Sequence, residues 1–354
     1  MSDQSATQYP DHILRYLDRI YDAGRRRYAC RAANLDEFVA WREKARPALR
    51  MLIGLERMRT HLEGFEPTFT LMDAEELDGY TRRRGVMVPE PDVSIPFWLL
   101  RPEGDGPFPL ALTPHGHGEH RFYAGVYEDE SERQRIEEAD RDVAVQAVER
   151  GFLAIAPATR GLGCPGVPDL EGRHGGQDCR SQMIHCLLAG RTAIAERVWD
   201  MIHFVSWASS LPEVDPNRVL VMGNSGGGVV TLYTAACDPR VAIAVPCCAF
   251  TLLVRRSGRV HHCDCNVVPG ILTFGDLCDV AGLIAPRHLL TVNGAHDELF
   301  DNEGVDAAVA RLREIYEVAG ASDRYDHQYG PAGHRFYKDL MWPFIENALD
   351  ELGT

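Results

Sequence analysis

The stretch Val219-Leu220-Val221-Met222-Gly223-Asn224-Ser225-Gly226-Gly227-Gly228 decides how the rest of the chain is read. An apolar run enters Gly-x-Ser-x-Gly, and a helix is expected to begin near Gly228. A serine on a sharp strand-to-helix turn projects its hydroxyl into open space, and small neighbours let the backbone bend that tightly. A Walker-type phosphate loop would need a Lys-Ser/Thr pair, and a dinucleotide loop would need G-x-G-x-x-G. The stretch contains neither, so Ser225 reads as a nucleophile.

A hydroxyl at its ordinary pKa is a weak nucleophile and needs a base held by an acid. Downstream, the strand-like run His288 to Asn293 ends in Gly294-Ala295-His296-Asp297-Glu298. A second run, Asp326 to Tyr329, leads into Gly330-Pro331-Ala332-Gly333-His334. Asp297 then sits where a loop leaves the C-terminal edge of a sheet, and His334 sits in a Gly-rich turn after the last strand. The order Ser225, Asp297, His334 is that of a strand-to-helix serine triad. Glu298 and Asp301 lie deeper in their loop, and His327 alternates along its strand as a sheet-face residue. The oxyanion of an acyl-transfer intermediate needs donors. Gly226 N–H is one, and His117 N–H in Pro114-His115-Gly116-His117-Gly118 is the expected second.

Around this centre, strands alternate with helices. Thr81 to Val88 and Val93 to Leu100 read as a hairpin around Pro89-Glu90-Pro91-Asp92. Phe108 to Thr113, Phe152 to Ala156, Arg218 to Met222 and Val241 to Pro246 read as buried strands. Helices are expected near Glu137 to Arg150 and over Thr192 to Ser209. This alternation predicts an α/β fold with a mostly parallel sheet covered on both faces. Residues 11–63 carry helical periodicity, which gives an N-terminal helical extension (1–79) ahead of a catalytic domain (80–354). Segments 119–140, 161–190 and 251–278 are insertions expected to overlie the strand ends.

The 354 residues are 45% apolar and 25% charged, ordinary for a globular chain. Against 52 acidic residues stand 37 Lys and Arg, a net charge of −15 that disfavours nucleic acid and anionic lipid as partners. The N-terminus has no basic segment followed by an apolar one, and apolar runs fall short of the ~20 residues that span a bilayer. A cytoplasmic chain is expected, without a membrane partner. The ten cysteines read mostly as buried thiols. Two clusters, His115, His117 and His120, and His261, His262, Cys263 and Cys265, could be mistaken for metal ligands. Neither has a familiar ligand spacing, so no metal is expected.

The chain resembles the α/β-hydrolase superfamily, and within it the dienelactone-hydrolase-like and acetyl-xylan-esterase-like bacterial esterases. The likeness is carried by His115-Gly116-His117-Gly118, Arg160-Gly161-Leu162-Gly163, Val214-Asp215-Pro216-Asn217-Arg218-Val219, the elbow at 223–228, Ala285-Pro286-Arg287 and Gly333-His334. Cys263-Asp264-Cys265-Asn266-Val267-Val268-Pro269-Gly270 also resembles a segment of the esterase-like branch. The resemblance implies Ser225 as nucleophile, Asp297 and His334 as its partners, and no cofactor.

The reaction so implied is hydrolysis of a carbohydrate or small-molecule carboxylic ester. Arg160, His115, His261 and His262, with Arg255 and Arg256, are candidates for contacting substrate, the arginines by pairing with a carboxylate. Trp98, Trp207 and Trp342 read as core or interface. Alternatives are hydrolysis of a carbon–carbon bond beside a ketone, favoured by the helical extension, and a non-catalytic binding module. A peptidase of the prolyl-oligopeptidase type lacks room for its propeller. A homodimer contact through residues 11–63 is left open.

Overall fold

Uninterrupted apolar runs can be strands only where both faces are covered, and that is where they lie. The computed structural model describes residues 9–163, 166–254 and 262–353. β1 (Thr68–Leu77), β2 (Tyr80–Glu90) and β3 (Val93–Pro102) form an antiparallel meander, and β3 pairs antiparallel with β5 (Leu153–Pro157). From there β4 (Phe108–Leu112), β6 (Val214–Asn224), β7 (Ile243–Cys247), β8 (His288–Gly294) and β9 (Tyr325–Gly330) continue the sheet in parallel. The strand order is β1-β2-β3-β5-β4-β6-β7-β8-β9. β4, β5, β7 and β8 are buried at every residue. The C-terminal ends of the parallel strands share one rim, the usual place for a site in an open α/β sheet.

Two expectations are corrected. The extension 1–79 is not helical throughout, because Thr68–Leu77 is a strand of the same sheet. Its Leu, Met, Ala and Glu residues favour helix, and nearly all of it is exposed, so no buried alternation marks it. Pairing with β2 and the stacking of Phe69 on Trp207, 4.5 Å between centroids, override that preference. The single helix expected over Glu137 to Arg150 is broken. Asp140, at φ 52°, separates Glu130–Glu138 from Val143–Val148.

The N-terminal helices are part of the main body. Helix Leu35–Ile53 begins at Asn34, whose side chain accepts the Glu37 N–H, and ends at Gly54 with φ 95°. Phe38, Ala45, Leu49 and Ile53 are buried in the same contiguous core as the sheet. Its arginines bond carbonyls beneath it: Arg46 reaches Ala236 O at 2.9 Å and Leu283 O at 2.7 Å, and Arg42 reaches Ala285 O at 2.9 Å. Among the described residues, no helix is long and apolar enough to cross a membrane.

Candidate active site

β6 delivers Ser225 to the rim, and the chain turns there directly into the helix Gly226–Cys237. Ser225 has φ 60° and ψ −124°, a conformation costing a non-glycine residue about 1–3 kcal/mol. Its N–H donates to Cys247 O at 2.9 Å, which anchors the turn to the neighbouring strand. The loop after β4 lies against the elbow so closely that a Cβ on Gly227 would collide with the Pro114 carbonyl. A Cβ on Gly116 would lie 3.0 Å from Ser225 Cβ and 3.2 Å from Gly226 N. That loop carries His117, so the two segments expected to offer oxyanion donors adjoin.

Loops after β8 and β9 bring Asp297 and His334 together. His334 Nδ1–H donates to Asp297 Oδ2 at 2.7 Å, and Leu299 N–H donates to Oδ1 at 2.9 Å. Burial of Asp297 pushes its pKa up, but the hydrogen bond and charge of His334 outweigh it and hold the carboxyl below its ordinary value. With Nδ1 donating, Nε2 of neutral His334 is left as the acceptor. That nitrogen is buried, has no hydrogen-bond partner among the described residues, and its ring lines the same cavity as Ser225.

The Ser225 hydroxyl is turned toward His262, not His334: Oγ lies 3.0 Å from His262 Nε2. A chain of fixed donors sets the tautomer of His262. Arg197, whose guanidinium can only donate, bonds Asn266 Oδ1 at 3.0 Å, so the Asn266 amide presents its NH2 to His262 Nδ1 at 3.1 Å. His262 Nδ1 therefore accepts, and Nε2–H donates to Ser225. The two imidazoles, 5.7 Å apart between centroids, thus face the site with opposite roles. His334 can take a proton from Ser225, whereas His262 holds the hydroxyl by donating to it.

Two cavities meet at His262. One, about 250 Å³, is lined by Ser225, His334, His117, Glu119, Arg141 and Arg335. The other, about 300 Å³, is apolar, with Tyr21, Val229, Tyr233, Val268, Leu272 and Phe300 on its walls.

The expected substrate contacts fare differently. Arg160 is buried in ion pairs: Nε and Nη2 bond the two carboxylate oxygens of Asp200 at 2.7 and 2.6 Å, and Nη1 bonds Glu90. Those contacts commit its guanidinium to carboxylates of the protein itself. His115 is likewise committed, its Nδ1–H to Gly116 O at 2.6 Å and its Nε2 to Thr159 N–H at 2.8 Å. Burial pushes its pKa down to about 3, so it is a neutral brace between two loops, on the wall of the cavity that holds Ser225. His262, expected to meet substrate, touches the nucleophile and lines both cavities. His261, Arg255 and Arg256 lie outside the described residues. Sequence reasoning missed Asn266 and Arg197, and no local signal marks either as the support of a histidine.

The family model described as Acetyl xylan esterase (AXE1) matches residues 135–264, a span that includes Ser225 and His262 but neither Asp297 nor His334. YtaP of Bacillus subtilis (strain 168), named as a hydrolase, is 27% identical over 247 residues, covering 68% of this chain and 77% of that protein. A structure from Bacteroides fragilis NCTC 9343, described as an acetyl xylan esterase, superposes with a TM-score of 0.75 at 18% identity, covering 95% of this chain and 94% of the other. A glucuronoyl esterase from Solibacter usitatus gives 0.66 at 15% identity, covering 91% and 96%. The chain has the α/β-hydrolase fold of these proteins, and the comparisons support a carboxylic ester hydrolase.

Proposed function

We propose, starting from a chain of α/β-hydrolase fold similar to acetyl xylan esterases, that the protein hydrolyses a carbohydrate or small-molecule carboxylic ester through an acyl-enzyme on Ser225. One observation carries this reading: an imidazole held by a buried carboxylate keeps an acceptor nitrogen, unpartnered among the described residues, in the cavity of a strained serine. Rotation about Ser225 χ1 moves the hydroxyl from His262 to His334. Oγ attacks the ester carbonyl as its proton passes to His334 Nε2, and Asp297 stabilises the imidazolium. The oxyanion is met by Gly226 N–H and His117 N–H. Collapse breaks the ester C–O bond, and His334 returns its proton to the leaving alcohol. A water deprotonated by the same nitrogen then attacks the acyl-enzyme, and the acyl–Oγ bond breaks as His334 returns that proton to Ser225, releasing the acid. His262 Nε2–H, freed when the hydroxyl turns away, offers a donor to substrate oxygen beside the reacting centre. No cofactor takes part in these steps.

The test is a panel of acetyl, methyl-uronate, lactone and β-diketone substrates with wild-type protein and Ser225→Ala. Ester turnover is expected, falling by roughly 10⁶-fold in the variant, the size of the loss when a comparable serine is removed. Failure of a fluorophosphonate to label folded wild-type protein at Ser225 would favour a binding module instead. A second reading, carbon–carbon bond hydrolysis, draws on Tyr21 of the helical extension, which lines the apolar cavity. Products separate the two, since only ester cleavage yields an alcohol and an acid.

A further inference from the structure

Beside the serine site, three distant segments bring four soft donors to one point. His117 comes from the loop after β4, Cys179 from the first turn of the helix Asp178–Leu188, and Cys263 and Cys265 from either side of Asp264. His117 Nε2 lies 3.3 Å from Cys179 Sγ and 3.6 Å from Cys263 Sγ. Cys263 Sγ lies 3.8 Å from Cys179 Sγ and 3.3 Å from Cys265 Sγ. All four donor atoms fall within 4.8 Å of one another.

We propose that His117, Cys179, Cys263 and Cys265 form a tetrahedral Zn²⁺ site that clasps the insertions over the serine. With Zn–S of about 2.3 Å and Zn–N of about 2.0–2.1 Å, a tetrahedron has S···S edges of about 3.8 Å and S···N edges of about 3.5 Å. The observed separations scatter around those edges. They far exceed the ~2.05 Å of a disulfide. Three sulfurs and an imidazole in a closed tetrahedron suit zinc, and four protein ligands leave no open position for chemistry.

Two further observations fit the same ion. Arg197 is fully buried and makes no carboxylate pair among the described residues, while its Nη2 has no partner there. Its Nη1 and Cys265 Sγ both reach Asn266 Oδ1, at 3.0 and 3.7 Å. Zn²⁺ replacing three thiol protons leaves a complex of net charge −1 there, the countercharge that a buried guanidinium requires. In addition, Leu162, Cys179 and Cys265 form a small buried cluster separate from the main core. A unit with so little apolar burial is the kind that a metal staples. The clasp would fix His262, the neighbour of Cys263, and the Gly116–His117 turn against the elbow.

The protein, expressed in zinc-supplemented medium and purified under reducing conditions, is expected to carry one zinc per chain by elemental mass spectrometry. Cys179→Ser and Cys263→Ser should each weaken retention at least about tenfold, whereas Cys186→Ser, in the same helix but outside the cluster, keeps the metal. Should the ligand variants fail to fold, cobalt substitution of wild-type protein decides. Intense tetrahedral ligand-field bands with thiolate-to-cobalt charge transfer support the site. Zinc-free folded protein, another metal in zinc's place, octahedral cobalt, or a mapped disulfide among these cysteines would overturn it. None of these readings depends on hydrolase activity.

Discussion

At the scale of single residues, the question is how two histidines beside one serine divide the work. The hydrogen bonds answer it: His334 Nδ1 is spent on Asp297, so its other nitrogen accepts, while His262 Nδ1 is spent on Asn266, so its other nitrogen donates. His334→Ala should lower kcat/KM for an ester by roughly 10⁴-fold or more. His262→Ala should cost only roughly 10–10³-fold, the range for losing one donor near the reacting centre. His262→Gln, which restores an N–H, should recover part of that loss. Steady-state kinetics on the three variants checks the assignment, and an equal collapse in His262→Ala and His334→Ala would contradict it. Asp297→Asn should resemble His334→Ala, since an amide in place of the carboxylate favours the wrong tautomer, a change worth about 10⁴-fold in a comparable triad.

At the scale of elements, charge buried between strands and helices does the joining. Glu90 at the end of β2 meets Arg160 after β5, and Arg160 in turn grips Asp200 in the helix Ala193–Ala208. Arg191 reaches Glu90 at 3.0 Å from the other side. Burial alone would push the Glu90 pKa up, but the two guanidinium groups outweigh it and hold the pKa below its ordinary value. A carboxyl depressed on folding stabilises the protein above its unfolded pKa of about 4.3, and that contribution is lost as pH falls through the folded value. Glu90→Gln should therefore be less stable than wild type at pH 7 by about 1.5–3 kcal/mol, the usual worth of a hydrogen bond to a charged group. The gap should close as the solution is acidified below the ordinary glutamate range. Denaturant melts of both proteins from neutral pH downward test this, and a gap independent of pH would show that Glu90 is not ionised in the fold.

At the scale of the whole molecule, what could be read from sequence was what local pattern encodes. β4, β5, β7 and β8 are short apolar runs, and the fold requires them to be buried on both faces, so their place in the sheet was legible. Ser225, Asp297 and His334 each follow a strand in a loop with its own turn chemistry, which marks them as candidates before any coordinates. The pairing of Ser225 with His262, the ion pairs of Arg160 and the meeting of His117 with three cysteines depend on how insertions cross the rim. No periodicity specifies that. β1 was hidden for a related reason, because an exposed strand of helix-favouring residues is fixed by its partner alone.

The N-terminal segment shows how far such a division of the chain can be trusted. Helical periodicity marks an extension too small for a core of its own, and it packs accordingly: Phe38, Leu49 and Ile53 are fully buried in the common core, and Arg42 and Arg46 bond carbonyls of the body beneath. Exposing three large apolar side chains forfeits about 1.5–3 kcal/mol each, a sum comparable with the roughly 5–15 kcal/mol that holds a whole domain folded. A chain starting at residue 66 would also bare the apolar surface those side chains cover. It should accordingly be insoluble or molten, with no cooperative thermal transition. A soluble, cooperatively melting fragment that labels with fluorophosphonate as fast as the full chain would show that the helices ride on the hydrolase body without helping to build it.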